Sequence, residues 1–184
     1  ARSNRHFRRP IVLNETGFKG FDPAGYRQEA WRFCAAGGSG VSFLDYSFSP
    51  DRPDGTEDIA GRVPGGGGAE WRRQLGILQD FLQRFDLRRL APADHLLGGT
   101  NLPPTVDAWT LSDGPVTGVY VCGGGPRFGG GLHLPPGKYE IEWIEPAGGF
   151  VISHQVHDHE SRVLPLLSPH YHTDVAAVIT HRPG

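Results

Sequence analysis

The stretch from Arg9 to Phe48 most constrains what this chain can fold into. A short apolar run, Pro10-Ile11-Val12-Leu13, ends in Asn14-Glu15. It lacks polar alternation, as expected of a strand covered on both faces. Gly17 to Gly25 reads as a loop, with Gly20 and Asp22-Pro23 as turn formers. A helix is predicted from Pro23 or Ala24 through Ala36. Tyr26, Ala30, Phe33 and Cys34 fall on one face of it, and Gly37-Gly38 stops it. A second strand is predicted from Val41 to Phe48, with Asp45 toward its end. Strand, helix, strand is the unit of a parallel sheet. In such sheets the loops after the strand C-terminal ends converge on one face and carry the chemistry. Glu15 and Asp45 both stand there.

The loop from Ser49 to Gly68 is long and ends in Gly65-Gly66-Gly67-Gly68. No Lys-Ser/Thr follows the glycines and no strand precedes them, so a flexible lead-in to a helix is expected rather than a phosphate cradle. Ala69 to Phe85 is the clearest helix: Trp71, Leu75, Leu78, Leu82 and Phe85 form one apolar stripe, with Arg72, Arg73, Gln79, Asp80 and Gln83 mostly off it. The stretch 91–104 is rich in Pro, Gly and Leu and reads as a linker.

The chain then changes character. Ala108 to Ser112, Thr117 to Cys122, Gly131 to Leu134, Gly137 to Ile144, Phe150 to Gln155, Ser161 to Leu167 and Asp174 to His181 are β-type runs separated by turn residues. In one of them Tyr139, Ile141 and Trp143 alternate with Glu140 and Glu142, the mark of a half-buried antiparallel strand. The expected organisation is an α/β region over 1–90, the linker, and an all-β antiparallel sandwich over 105–184.

Net charge is −2, which argues against a nucleic-acid partner. No run approaches the roughly 20 apolar residues that span a membrane. The first residues lack the apolar core of a signal peptide and an initiator Met, so a piece of a longer polypeptide is expected. Cys34 and Cys122 fall in different halves and read as two semi-buried thiols. His154, His157, Asp158, His159 and Glu160 cluster, with His170 and His172 nearby. Their spacing defines no ligand set, and a solvated hairpin turn is expected there rather than a metal. Trp109 and Trp143 could stack on sugar rings; in an alternating strand, core positions are the ordinary alternative.

Retaining glycoside hydrolysis needs two carboxyl groups roughly 5 Å apart, a nucleophile and an acid/base. Glu15 suits the nucleophile, with Asn14 placed to hydrogen-bond it or the sugar. The alternative is a strand-end or helix-capping carboxylate.

Arg9 to Phe18, Tyr26-Arg27-Gln28-Glu29-Ala30-Trp31, Ala36-Gly37-Gly38 and Leu44-Asp45-Tyr46-Ser47-Phe48 resemble the last two strand–helix units of (β/α)8-barrel glycosidases of the large retaining superfamily that includes cellulases. The resemblance implies Glu15 as the nucleophile at the end of the seventh strand. It places Asp45, Tyr46 and Phe48 at the sugar subsite, with Asn14 beside them. The acid/base, a Glu after an Asn on the fourth strand, has no counterpart in this sequence. Leu111 to Gly114, Val119 to Val121, Leu132 to Pro146 and Asp174 to Ile179 resemble a β-sandwich module often labelled collagen-binding, found at the C-terminus of bacterial glycosidases of this kind. Together the resemblances imply a fragment of a secreted (extracellular or periplasmic) hydrolase acting on a poly- or oligosaccharide, with no cofactor and no metal. The rival expectation is a non-catalytic carbohydrate- or matrix-binding sandwich with a scaffold remnant.

Overall fold

The computed structural model describes residues 2–7, 9–16, 19–59, 66–98 and 104–182. Gly17 and Phe18 of the N-terminal motif, Gly65 of the tetraglycine and 99–103 of the expected linker lie outside the described residues. The chain is mixed α/β, mostly sheet, and divides into two compact units, Ala1–Phe81 and Leu82–Gly184.

In the first unit a 3-10 stretch at Arg2–Phe7 precedes β1 (Val12–Thr16), α1 (Pro23–Ala35), β2 (Gly40–Phe43) and α2 (Ala69–Leu82). β1 and β2 pair in parallel. The ends of α1 follow local chemistry. The Asp22 carboxylate accepts the Ala24 amide at 2.9 Å and Pro23 opens the helix. At the other end Gly37, with φ of 88°, donates to the Cys34 carbonyl while Gly38 donates to that of Phe33. This closes a Schellman motif at the glycines expected to stop the helix.

The helices meet through aromatics. Tyr26 packs edge-on to Trp71 at 5.0 Å between ring centroids, Phe43 lies 4.9 Å from Trp71, and Trp31 lies 4.7 Å from Phe81. The buried face of α2 is Trp71, Gln74, Leu78 and Phe81, with Leu75 and Leu82 half-buried at its flank. The expected stripe is therefore turned toward Gln74. The cause is polar: Gln74 Oε1 accepts Arg27 Nη1 from α1 at 2.9 Å, with both side chains buried. A satisfied polar pair occupies an inward position that apolar periodicity cannot mark.

The second unit holds β3 (Ala91–Pro92), β4 (Leu97–Gly98), β5 (Asp107–Ser112), β6 (Val116–Cys122), β7 (Gly129–His133), β8 (Gly137–Ile144), β9 (Val151–His159), β10 (Val163–Leu167) and β11 (Asp174–Arg182). The larger sheet has the order β3-β5-β6-β11-β8-β9 and the smaller β10-β7-β4, with every pairing antiparallel. Both sheets contribute to one core. Val119, Val121, Tyr139, Ile141, Trp143, Val175, Ala177 and Ile179 come from the larger, and Leu132, Leu164 and Leu166 from the smaller. The alternation expected of 139–143 is observed, and Trp143 is 0% exposed in that core.

Two expectations change. The stretch 91–104 carries β3 and β4, which pair with β5 and β7, with a 3-10 turn at Asp94–Leu96 between them. The strands are too short for propensity to reveal and exist because longer partners offer free edges. The histidine-rich stretch is strand rather than turn: His154, His157 and His159 all lie in β9. His154 Nε2 stands 2.6 Å from a Glu140 carboxylate oxygen, His157 bonds Gln155, and His159 is buried with its ring nitrogen 3.3 Å from the Leu134 carbonyl. Among the described residues no group of three or more His, Cys, Asp or Glu is arranged to hold a metal ion. Cys34 and Cys122 are both buried and neither forms a disulfide, and burial pushes the Cys34 thiol up to about 11.

Truncating Ile141, which is 1% exposed, to Ala should cost roughly 2–5 kcal/mol in urea denaturation of the chain. Val156→Ala, on the exposed edge strand β9, should stay within about 0.5 kcal/mol. Equal effects would contradict this core.

Candidate active site

The site begins with an irregularity in the parallel pair. Val12 and Leu13 lie opposite Gly40 and Val41, yet the next registered partner of Phe43 is Thr16. β1 thus inserts one extra residue where β2 has none, a β-bulge at Asn14-Glu15. Glu15 takes a φ of 55°, and among the described residues it alone has positive φ without being a glycine. A side chain there costs roughly 1–2 kcal/mol through Cβ crowding. Strain of this kind clusters where function requires it. The Glu15 side chain is exposed, as is that of Asn14, and no described residue forms a hydrogen bond or ion pair with the Glu15 carboxylate.

β2 ends at Phe43, short of the expected Phe48. Asp45 causes the stop. Its Oδ1 accepts the amide of Ser47 at 3.0 Å and the Ser47 hydroxyl at 2.6 Å, which bends the chain in an Asx turn. The same oxygen accepts the Gly68 amide at 3.0 Å, and Oδ2 accepts Arg72 Nη1 at 2.6 Å. The carboxylate therefore ties the end of β2 to the start of α2, where orphan helix amides and the dipole favour an anion. The glycines are more than a flexible lead-in here. Gly67 has φ of 116°, and a Cβ on it would fall 2.0 Å from Asp45 Oδ1, so backbone packs directly against the carboxylate. Burial pushes the Asp45 carboxyl up, but the hydrogen bonds from Ser47, Arg72 and Gly68 outweigh it and hold it below 3.8.

Arg72 is the residue that periodicity misses. Reading it as off-stripe is correct for the helix face but hides its role. Besides Asp45, it donates to the Ser47 hydroxyl at 2.8 Å and to the Gly55 carbonyl at 2.9 Å, and its guanidinium lies 5.0 Å from the centre of the Phe48 ring. Phe48 remains 50% exposed, held by a cation–π contact beneath one face. Tyr46 is half-buried and its amide donates to the Gly66 carbonyl at 3.2 Å. The Ser49–Gly68 loop folds back on this network where it is described. Glu57 donates its amide to the Ser47 carbonyl, and its carboxylate accepts the Ser49 hydroxyl at 2.8 Å.

Asn14 and Glu15 thus lie near the C-terminal end of β1, and Asp45, Tyr46 and Phe48 follow the C-terminal end of its parallel partner β2. They divide by availability. Glu15, Asn14 and Phe48 are exposed, whereas Asp45 is engaged in a structural knot. Of the two tryptophans weighed for stacking, Trp143 is core and Trp109 is half-buried with its ring 5.9 Å from Tyr120.

No family model matches the chain, and no curated protein matches it in sequence. Solved structures do. A glycoside hydrolase superposes with TM-score 0.62 at 14% identity, over 94% of this chain and 42% of its own. A glycoside hydrolase family 5 protein from Bacteroides vulgatus gives TM-score 0.62 at 12% identity over the same shares. A family 30 endoxylanase from Clostridium papyrosolvens gives 0.56 at 8% identity, over 98% of this chain and 44% of its own. The chain has the fold of a portion of these glycoside hydrolases and spans less than half of their length.

Relief of left-handed strain should outweigh the entropy that glycine adds to the unfolded chain. Glu15→Gly is therefore expected to leave the melting stability of the chain unchanged or raised by up to about 1 kcal/mol. A clear loss on calorimetry would remove the strain.

The Asp45 knot makes a pH-dependent contribution. A carboxyl depressed in the folded state stabilises fully above its unfolded value of 3.8, and that stability is lost as pH falls through the lower folded value. Asp45→Ala should cost roughly 1.5–3 kcal/mol at neutral pH. The gap from the parent should narrow below pH 3.8 in denaturant titrations. A gap constant down to the acid limit would contradict the assignment.

Proposed function

We propose that this chain is part of a retaining glycoside hydrolase with a poly- or oligosaccharide substrate. In this reading residues 1–90 supply the last two strand–helix units of a (β/α)8 barrel, and the second unit is an accessory β-sandwich. The observation that carries it is Glu15: an exposed, strained carboxylate on a bulge near the C-terminal end of a parallel strand, in a chain whose fold matches a portion of glycoside hydrolases. Its exposure fits the reading, because the remaining strands of a complete barrel would enclose that end.

The Glu15 carboxylate attacks the anomeric carbon and the glycosidic C–O bond breaks. An acid/base carboxyl from outside this chain, roughly 5 Å away, protonates the departing oxygen. Water then takes the place of the leaving group. The same acid/base removes its proton, and the glycosyl–Glu15 bond breaks with net retention. Asn14, beside the nucleophile, donates to the sugar or to the carboxylate. Phe48 offers an apolar face to a pyranose ring, with Arg72 keeping that face in place, and Tyr46 lines the same end. Asp45 contributes by shaping this wall through the knot to α2.

Glu15→Gln in an enzyme with the complete barrel should lower turnover of an aryl glycoside by at least roughly a thousandfold. Unchanged turnover would withdraw the nucleophile assignment. The chain alone, lacking an acid/base, should show no turnover.

A further inference from the structure

We infer that Thr16 and Glu29 are positioning residues for the carboxylate of Glu15, an inference that rests on Glu15 as the nucleophile. A residue in the left-handed region relaxes to ordinary extended backbone unless its neighbours prevent it. In a strand, losing the extra residue would turn the following side chains to the opposite face. Thr16 comes directly after the strained residue and is held from two sides. Its carbonyl accepts the Leu44 amide at 3.2 Å, which locks the register beyond the bulge to the segment after β2. Its hydroxyl donates to Glu29 Oε2 on α1 at 2.7 Å.

Glu29 is itself held in place. Its other oxygen receives Lys19 Nζ at 2.6 Å, and the Lys19 amide donates to the Tyr26 hydroxyl at 3.0 Å. That hydroxyl in turn donates to the Gly20 carbonyl at 2.9 Å, and the Tyr26 ring is buried against Trp71. The strand end is thereby referenced to the rigid helical layer. Thr16 and Glu29 bond each other rather than substrate. Their function is to keep the bulge, and with it the side of the sheet from which Glu15 projects. Thr16 suits this because its β-branched shape fits the strand while its hydroxyl supplies the single donor needed.

The test uses the enzyme with the complete barrel, 2,4-dinitrophenyl β-glycosides of glucose, xylose and galactose, and sodium azide. Thr16→Val keeps the shape and removes the donor; it should lower kcat at least about tenfold with KM little changed, since small misplacement of a reacting group is costly. Thr16→Ser should restore most of the loss. Glu15→Gly should be inactive, and azide, which needs no positioned carboxylate, should revive it as a glycosyl azide of inverted configuration. In that background Thr16→Val should have no further effect on the azide reaction. A Thr16→Val enzyme with parental kcat would overturn the inference while leaving the nucleophile in place. So would an equal slowing of the azide reaction, which would make Thr16 a general support. Full activity of Glu15→Gly would remove the nucleophile and the inference together.

Discussion

One inserted residue in β1 governs the first unit. The parallel pair runs in register through Leu13 and Val41, then gains a residue before Thr16 meets Phe43. A bulge in a parallel pair is uncommon, and where one occurs a glycine normally takes the left-handed position. Here a glutamate takes it, at 55°. The cost of about 1–2 kcal/mol is a noticeable share of a small unit's stability, and the neighbouring hydrogen bonds hold the conformation against it. Without the bulge, strand alternation would place Glu15 and Thr16 on exchanged faces.

A second constraint shapes the wall beside it. Asp45 accepts from Ser47, Gly68 and Arg72, so the end of β2, the glycine segment and the first turn of α2 form one hydrogen-bonded knot. Partial burial of the pair makes these charge-assisted bonds worth more than exposed ones, and the donors satisfy the carboxylate on both oxygens. The knot leaves Phe48 exposed with a cation behind it, and among the described residues none pairs with the Glu15 carboxylate. Rigid support on the strand that pairs with the one carrying a strained carboxylate is the division of labour expected where chemistry is done on a scaffold.

Much of the fold was legible because local patterns and tertiary demands agreed. Asp22-Pro23 and Gly37-Gly38 bracket α1 as their capping chemistry requires, and the Tyr139–Trp143 alternation gives the buried face of β8. Where they disagreed, a non-local partner decided. Gln74 turned the face of α2 inward because Arg27 met it. Val41 to Phe48 reads as one strand, but Asp45 bends it with a side-chain bond that propensity does not count. The histidines of β9 look like a polar turn because an edge strand open to solvent carries no clear apolar face. β3 and β4, at two residues each, exist through their partners alone.

The sequence by itself determined the order of the longer elements, the alternation that builds the β core, and the placing of Asn14, Glu15, Asp45, Tyr46 and Phe48 toward the ends of two strands. These follow from short-range periodicity and capping, which neighbouring residues encode. Only the tertiary structure decided that Glu15 is exposed and left-handed, that Asp45 is engaged by Gly68 and Arg72, and that Thr16 is tied to Glu29. Those outcomes depend on which distant donors come within about 3 Å of an acceptor, and chain spacing carries no record of that distance.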